Sequence, residues 1–79
     1  MTFKQAYKYA MEHSKKFREH DERVKNAIAN HKMTPCLIFS VDPGQTFYYG
    51  FDGVDLHQGK HTAKRSQYLI ENEQTLIIL

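Results

Sequence analysis

The stretch PCLIFSVDPGQTFYYGF, residues 35–51, decides the fold. It is the densest apolar and aromatic run in the chain, and one turn signal divides it. Cys36 to Val41 and Thr46 to Phe51 are rich in β-branched and large apolar residues, which suit a pleated, half-buried surface. Asp42-Pro43-Gly44-Gln45 lies between them. Pro43 presets φ at the second turn position, and Gly44 can supply the positive φ that a type II turn needs next. The reading is an antiparallel hairpin.

Side chains argue its register. An even loop that pairs Val41 with Thr46 leaves both faces mixed. An odd loop that pairs Val41 with Phe47, Phe39 with Tyr49 and Leu37 with Phe51 gathers all six on one face. A slip of one residue reverses every side chain, so the odd loop is expected. Ser40, Tyr48 and Gly50 then fall on the other face, with Cys36 and Ile38. A lone hairpin is marginal in water, so the aromatic face needs a cover.

The cover lies upstream. Thr2-Phe3-Lys4-Gln5 reads as a capping box. After it, Phe3, Tyr7, Ala10, Ser14, Phe17, Asp21, Val24 and Ile28 recur at steps of four and three, widened by Ala6, Met11 and Ala27. This is helical periodicity. A straight helix over residues 2–31 would run about 45 Å and overhang so small a core. The expectation is therefore two helices or one bent helix, broken near Glu19-His20-Asp21 with Asp21 as a cap. Asn30-His31-Lys32 ends the helical half, and Pro35 prevents its continuation.

Downstream, Asp52-Gly53 is a second turn signal, and residues 54–57 suit a short edge strand with Gln58-Gly59-Lys60 as loop. Thr62 could cap a helix over residues 63–72; the competing reading is a strand at 67–70. Residues 75–79, TLIIL, read as a strand placed inside the sheet, since an apolar edge invites aggregation. The fold class is α+β. A two-layer sandwich packs an N-terminal helix or helix pair on a three- or four-stranded, mainly antiparallel sheet. Residues 1–79 form one domain, with a helical half over 1–32 and a strand half over 33–79.

Composition excludes more than it identifies. The chain has 79 residues, 41% hydrophobic and 25% charged, with a formal net charge of +2, too small to imply a nucleic-acid or membrane partner. The halves differ: residues 1–32 carry eight Lys/Arg against four acids, and residues 33–79 carry three against five. The lone Cys36 rules out an internal disulfide and suits a reducing compartment. Residues 1–13 do not read as a signal peptide, so a cytoplasmic location is expected.

The candidate chemistry is sparse. Asp55, His57 and His61 bring a carboxylate and two imidazoles into seven residues, the donor types of a Zn²⁺ site, with Asp52 just upstream. A polar surface loop is the plainer reading, and no resident cofactor is expected. His13 and His20, two helical turns apart, read as solvated helix surface. Lys4, Lys8, Lys15, Lys16 and Arg18 give the helical half a basic face for phosphates or an acidic protein. Tyr48 is the aromatic residue that the register leaves outward, a candidate interface anchor. Cys36 opens a buried-type strand, Ser14, Ser40 and Ser66 lack a nucleophile elbow, and the glycines form no phosphate loop. The expectation is a non-catalytic protein that binds another macromolecule, as an accessory, regulatory or inhibitor protein of the size that viruses and mobile elements carry. It would use the basic residues or Tyr48, with homo-oligomerisation as a further option. A nucleic-acid-binding module is the alternative, and a metal-binding protein the third reading.

Overall fold

The computed structural model describes residues 1–59 and 66–78. Two helices, α1 (Phe3–His13) and α2 (Lys15–Asn30), precede β1 (Thr34–Asp42), β2 (Gln45–Phe51) and β3 (Leu56–Gly59); α3 (Gln67–Glu71) and β4 (Gln74–Ile77) follow. The fold is α+β, with the two N-terminal helices packed on a four-stranded sheet of order β3-β2-β1-β4. The β1/β2 and β2/β3 pairs are antiparallel, and β1/β4 is parallel.

The helical half breaks at Ser14, not at Glu19-His20-Asp21. Ser14 is extended (φ −134°, ψ 115°) and its hydroxyl accepts from the Phe17 amide at 3.1 Å, capping α2. The Arg18 guanidinium donates to the Met11 carbonyl at 2.8 Å, satisfying an acceptor that the end of α1 leaves over. The capping box at Thr2 and Gln5 forms as expected. α2 ends at His31 in the left-handed conformation (φ 55°). Asp21 caps nothing; it is interior.

The hairpin keeps the expected faces by a different register. Leu37 pairs with Tyr49, Ile38 with Tyr48 and Phe39 with Phe47, two residues away from the expected pairs. The turn is even: Asp42 pairs with Gln45 around Pro43-Gly44. An irregularity between Phe39 and Asp42 opposes Ser40 and Val41 to Thr46, and that extra residue restores the alternation an even loop would spoil. Gly44 is not left-handed; Asp42 Oδ1 holds the turn by accepting from the Gly44 amide at 2.8 Å. A second irregularity sets Pro35 and Cys36 against Gly50. Pro35 has no amide for the ladder, and a Cβ on Gly50 would lie 2.9 Å from Cys36 Cα, so each residue suits the bulge.

The core follows. Leu37, Phe39, Val41, Phe47, Tyr49 and Phe51 are all buried, beneath Ala6, Ala10, Phe17, Val24 and Ala27. Phe17 packs on Phe39 with ring centroids 4.7 Å apart, and Phe3 meets Phe39, Phe47 and Tyr49 near 6 Å. Ile28 departs from the expected stripe and is 39% exposed, because Ala27 takes the inward position. Leu69 and Cys36 are fully enclosed outside this cluster, with α3 packed on β1.

Three downstream expectations change. The third strand starts at Leu56 and takes in Gln58 and Gly59. The helix after it begins at a Ser66 cap, and no strand forms at 67–70; the expected start at Thr62 lies outside the described residues. β4 is an edge strand, not an interior one, because the β1–β2–β3 meander occupies the other side of β1.

Candidate functional site

Three places gather polar or exposed groups. The first is a buried knot beneath α2. Asp21 is 3% exposed and His20 2%. Tyr7 and Tyr49 each donate a hydroxyl hydrogen bond to Asp21 Oδ1 at 2.7 Å, and Lys25 Nζ lies 2.9 Å from Oδ2. Burial alone would push the Asp21 carboxyl up, but the bonds donated by Tyr49, Tyr7 and Lys25 outweigh it and hold the group below the usual carboxylate range. Burial and the same carboxylate push the Tyr49 and Tyr7 hydroxyls up.

His20 does not lie on the solvated surface with His13. Its Nε2–H donates to the Tyr49 carbonyl at 2.8 Å, tying α2 to the centre of the sheet. Burial pushes its pKa down, with Arg23 adding to the effect and the carbonyl and Asp21 opposing it. The signal in the sequence was Asp21 itself, a carboxylate four residues after Phe17 and three before Val24 on an apolar stripe. A charge there needs donors from the facing sheet, and Tyr49 was already assigned to that face.

The second place is the β2–β3 turn. Asp52 Oδ1 accepts from the amides of Val54 (2.9 Å) and Asp55 (2.7 Å), and His57 Nε2–H donates to Oδ2 at 2.9 Å. Burial would raise the Asp52 carboxyl; bonds from Asp55, His57 and Val54 hold it low. Gly53 supplies the positive φ of 96°. Candidate ligand atoms of Asp52, Asp55 and His57 lie within 4.8 Å of one another. The structure therefore brings Asp55 and His57 together and adds Asp52; His61 lies outside the described residues. Both Asp52 oxygens are already accepting hydrogen bonds, so an ion would compete with the turn that places them.

The third place is a groove of about 310 Å³ between α2 and β4, lined by Lys16, Glu19, His20, Arg23, Leu37, Gln74, Thr75 and Leu76. Beside it, Ile77 is 59% exposed. The basic residues do not converge on it. Lys16 lines this groove, Lys4 and Lys8 line an apolar cleft along α1 with Tyr7 and Met11, Arg18 turns back to Met11, and Lys15 is exposed. Tyr48 is half-buried between Ile38 and Gly59. No helix among the described residues is long and apolar enough to cross a membrane. Comparison with protein-family models, curated proteins and solved structures returns no match.

Proposed function

We propose that this is a small, non-catalytic binding protein of accessory, regulatory or inhibitor type that acts through protein–protein contacts. The observation that carries the reading is the edge position of β4, beyond which no described strand lies, with a groove floored in part by Leu37 and Leu76 beside it. Such an edge supplies backbone donors and acceptors to an extended polypeptide, and the groove receives its alternate side chains. The titratable groups of the buried knot support the same reading, since Tyr7, Tyr49 and Lys25 bond to Asp21 and His20 bonds to the Tyr49 carbonyl. The test is affinity capture from the native host, with wild type beside Ile77→Lys. A partner recovered by wild type and lost by the variant supports the reading. No partner above background, or capture indifferent to the variant, sinks it.

Metal binding is the second reading, resting on the proximity of Asp52, Asp55 and His57. Calorimetric titration of untagged protein with Zn²⁺ decides it: binding lost in His57→Ala supports a site, and no heat rejects it. For a nucleic-acid role, Lys4 and Lys8 share the α1 cleft with Met11, toward which Arg18 turns, while Lys16 lines the separate groove beside β4, so no single site gathers the basic residues.

A further inference from the structure

We infer that β4 is a self-association edge. Two copies join antiparallel about a two-fold axis at Leu76, with Thr75 of one copy opposite Ile77 of the other, so that one sheet runs through both. The inference rests on the protein–protein reading above and names the partner as a second copy of this chain.

The backbone sets the register. The Ile78 amide donates to the Ser40 carbonyl at 2.8 Å, so residue 78 addresses β1. Successive residues of a strand alternate sides, so Gln74 and Leu76 also address β1, while Thr75 and Ile77 direct N–H and C=O outward. No described strand lies beyond β4. In an antiparallel pair, opposed residues that exchange both bonds must each point at the other strand. Thr75 opposite Ile77 of the second copy meets that condition twice, with Leu76 facing its own symmetry mate.

Among the described residues, β4 itself carries none of the usual guards of an edge. Residues 74–77, QTLI, hold no charge and no proline, and the pairing with β1 runs without a bulge. Ile77, on the face away from the two N-terminal helices, would lie against Thr75 of the second copy.

Charge selects a second copy over a foreign acidic strand. An isologous interface must be its own complement. Lys16 and Glu19 line the groove, and Phe17 between them packs on Phe39, the β1 partner of Leu76. An axis at Leu76 therefore sets Lys16 of each copy toward Glu19 of the other. An acidic strand would meet Lys16 and Arg23 but would also set its charge against Glu19, which a second copy instead sets beside Lys16.

Sedimentation velocity of the full chain from micromolar to millimolar concentration tests this. The expected result is a mass that rises to twice the monomer. Ile77→Lys and Thr75→Pro should each weaken association at least tenfold while circular dichroism and melting remain those of a folded protein. Val54→Lys, at a side chain 84% exposed in the β2–β3 turn, should leave association unchanged. Lys16→Glu should weaken the dimer and Lys16→Glu with Glu19→Lys should restore it. A monomer at every concentration, or a dimer indifferent to Ile77→Lys and Thr75→Pro, overturns the inference. So does a charge swap that fails to restore association, because it moves the axis away from Leu76. A monomer that still captures a different protein through β4 overturns the dimer alone; a monomer that captures nothing overturns the protein–protein reading as well.

Discussion

The knot around Asp21 and the outer edge of β4, beyond which no described strand lies, are opposite answers to the same constraint, that a polar group needs a partner. Beneath α2, two tyrosine hydroxyls, a lysine, a carboxylate and a histidine look like the parts of a reaction site, yet they bond to one another and to the Tyr49 carbonyl. Along β4, Thr75 and Ile77 direct their amides and carbonyls away from β1, and no described strand lies beyond them. Ionisable side chains build the molecule here, and an unremarkable strand forms the edge on which the proposed contact rests. The contrast predicts that knot variants change folding and edge variants change association.

The largest effect should follow Asp21→Ala. It strands two buried or half-buried hydroxyls and should cost about 3 kcal/mol or more. A chain of this size has on the order of 4–12 kcal/mol in total. Urea denaturation followed by circular dichroism reads the loss; a change below about 1 kcal/mol would break the claim that Asp21 organises the interface. Tyr49→Phe removes one donor to a charged acceptor and should cost about 1.5–3 kcal/mol, with Tyr7→Phe costing less because Tyr7 is only half-buried. A larger effect from Tyr7 would reverse that order. Lys25→Met should matter least within the knot, since the Lys25 side chain is 65% exposed.

Acid should also find the knot first. His20 titrates below its usual 6.5 in the folded protein, so the unfolded chain takes up its proton first, and stability falls as pH drops through 6.5 toward the folded value. Asp21, held below 3.8, adds a second loss with the same sign at lower pH. Tyr7 and Tyr49 titrate above 10.0 when folded, so stability also falls as pH rises past 10. The maximum should lie between these limits, and His20→Phe should flatten the limb from pH 7 to 5. Equal slopes in wild type and variant would remove His20 from the account. The smallest folding effect should come from Ile77→Lys, within about 0.5 kcal/mol of wild type, because the residue is largely exposed.

The fold was legible where periodicity was strong. The alternation of Leu37, Phe39 and Val41 against Phe47, Tyr49 and Phe51 fixed which side chains go inside, although the pairs themselves moved by two. A shift of two preserves the faces, so side-chain pattern cannot detect it; the bulge opposite Thr46 sets it. The helix break moved to Ser14 because a serine cap is a local signal, while the polar residues at 20 and 21 are satisfied by partners from a strand nearly 30 residues away. Of the candidate residues, Asp55 and His57 were adjacent enough for sequence to find them. Strand order could not be read that way. Position on an edge depends on which neighbours pair with β1, and the apolar composition of TLIIL argued for the interior.

Amide hydrogen exchange across β4, measured at low and high protein concentration, tests the central claim most directly. The amides of Leu76 and Ile78 should be protected at both concentrations, because they point to β1. Those of Thr75 and Ile77 should exchange quickly in dilute protein and slow markedly as concentration rises. Fast exchange at Thr75 and Ile77 at every concentration, or a slowing shared equally by all of β4, would contradict it.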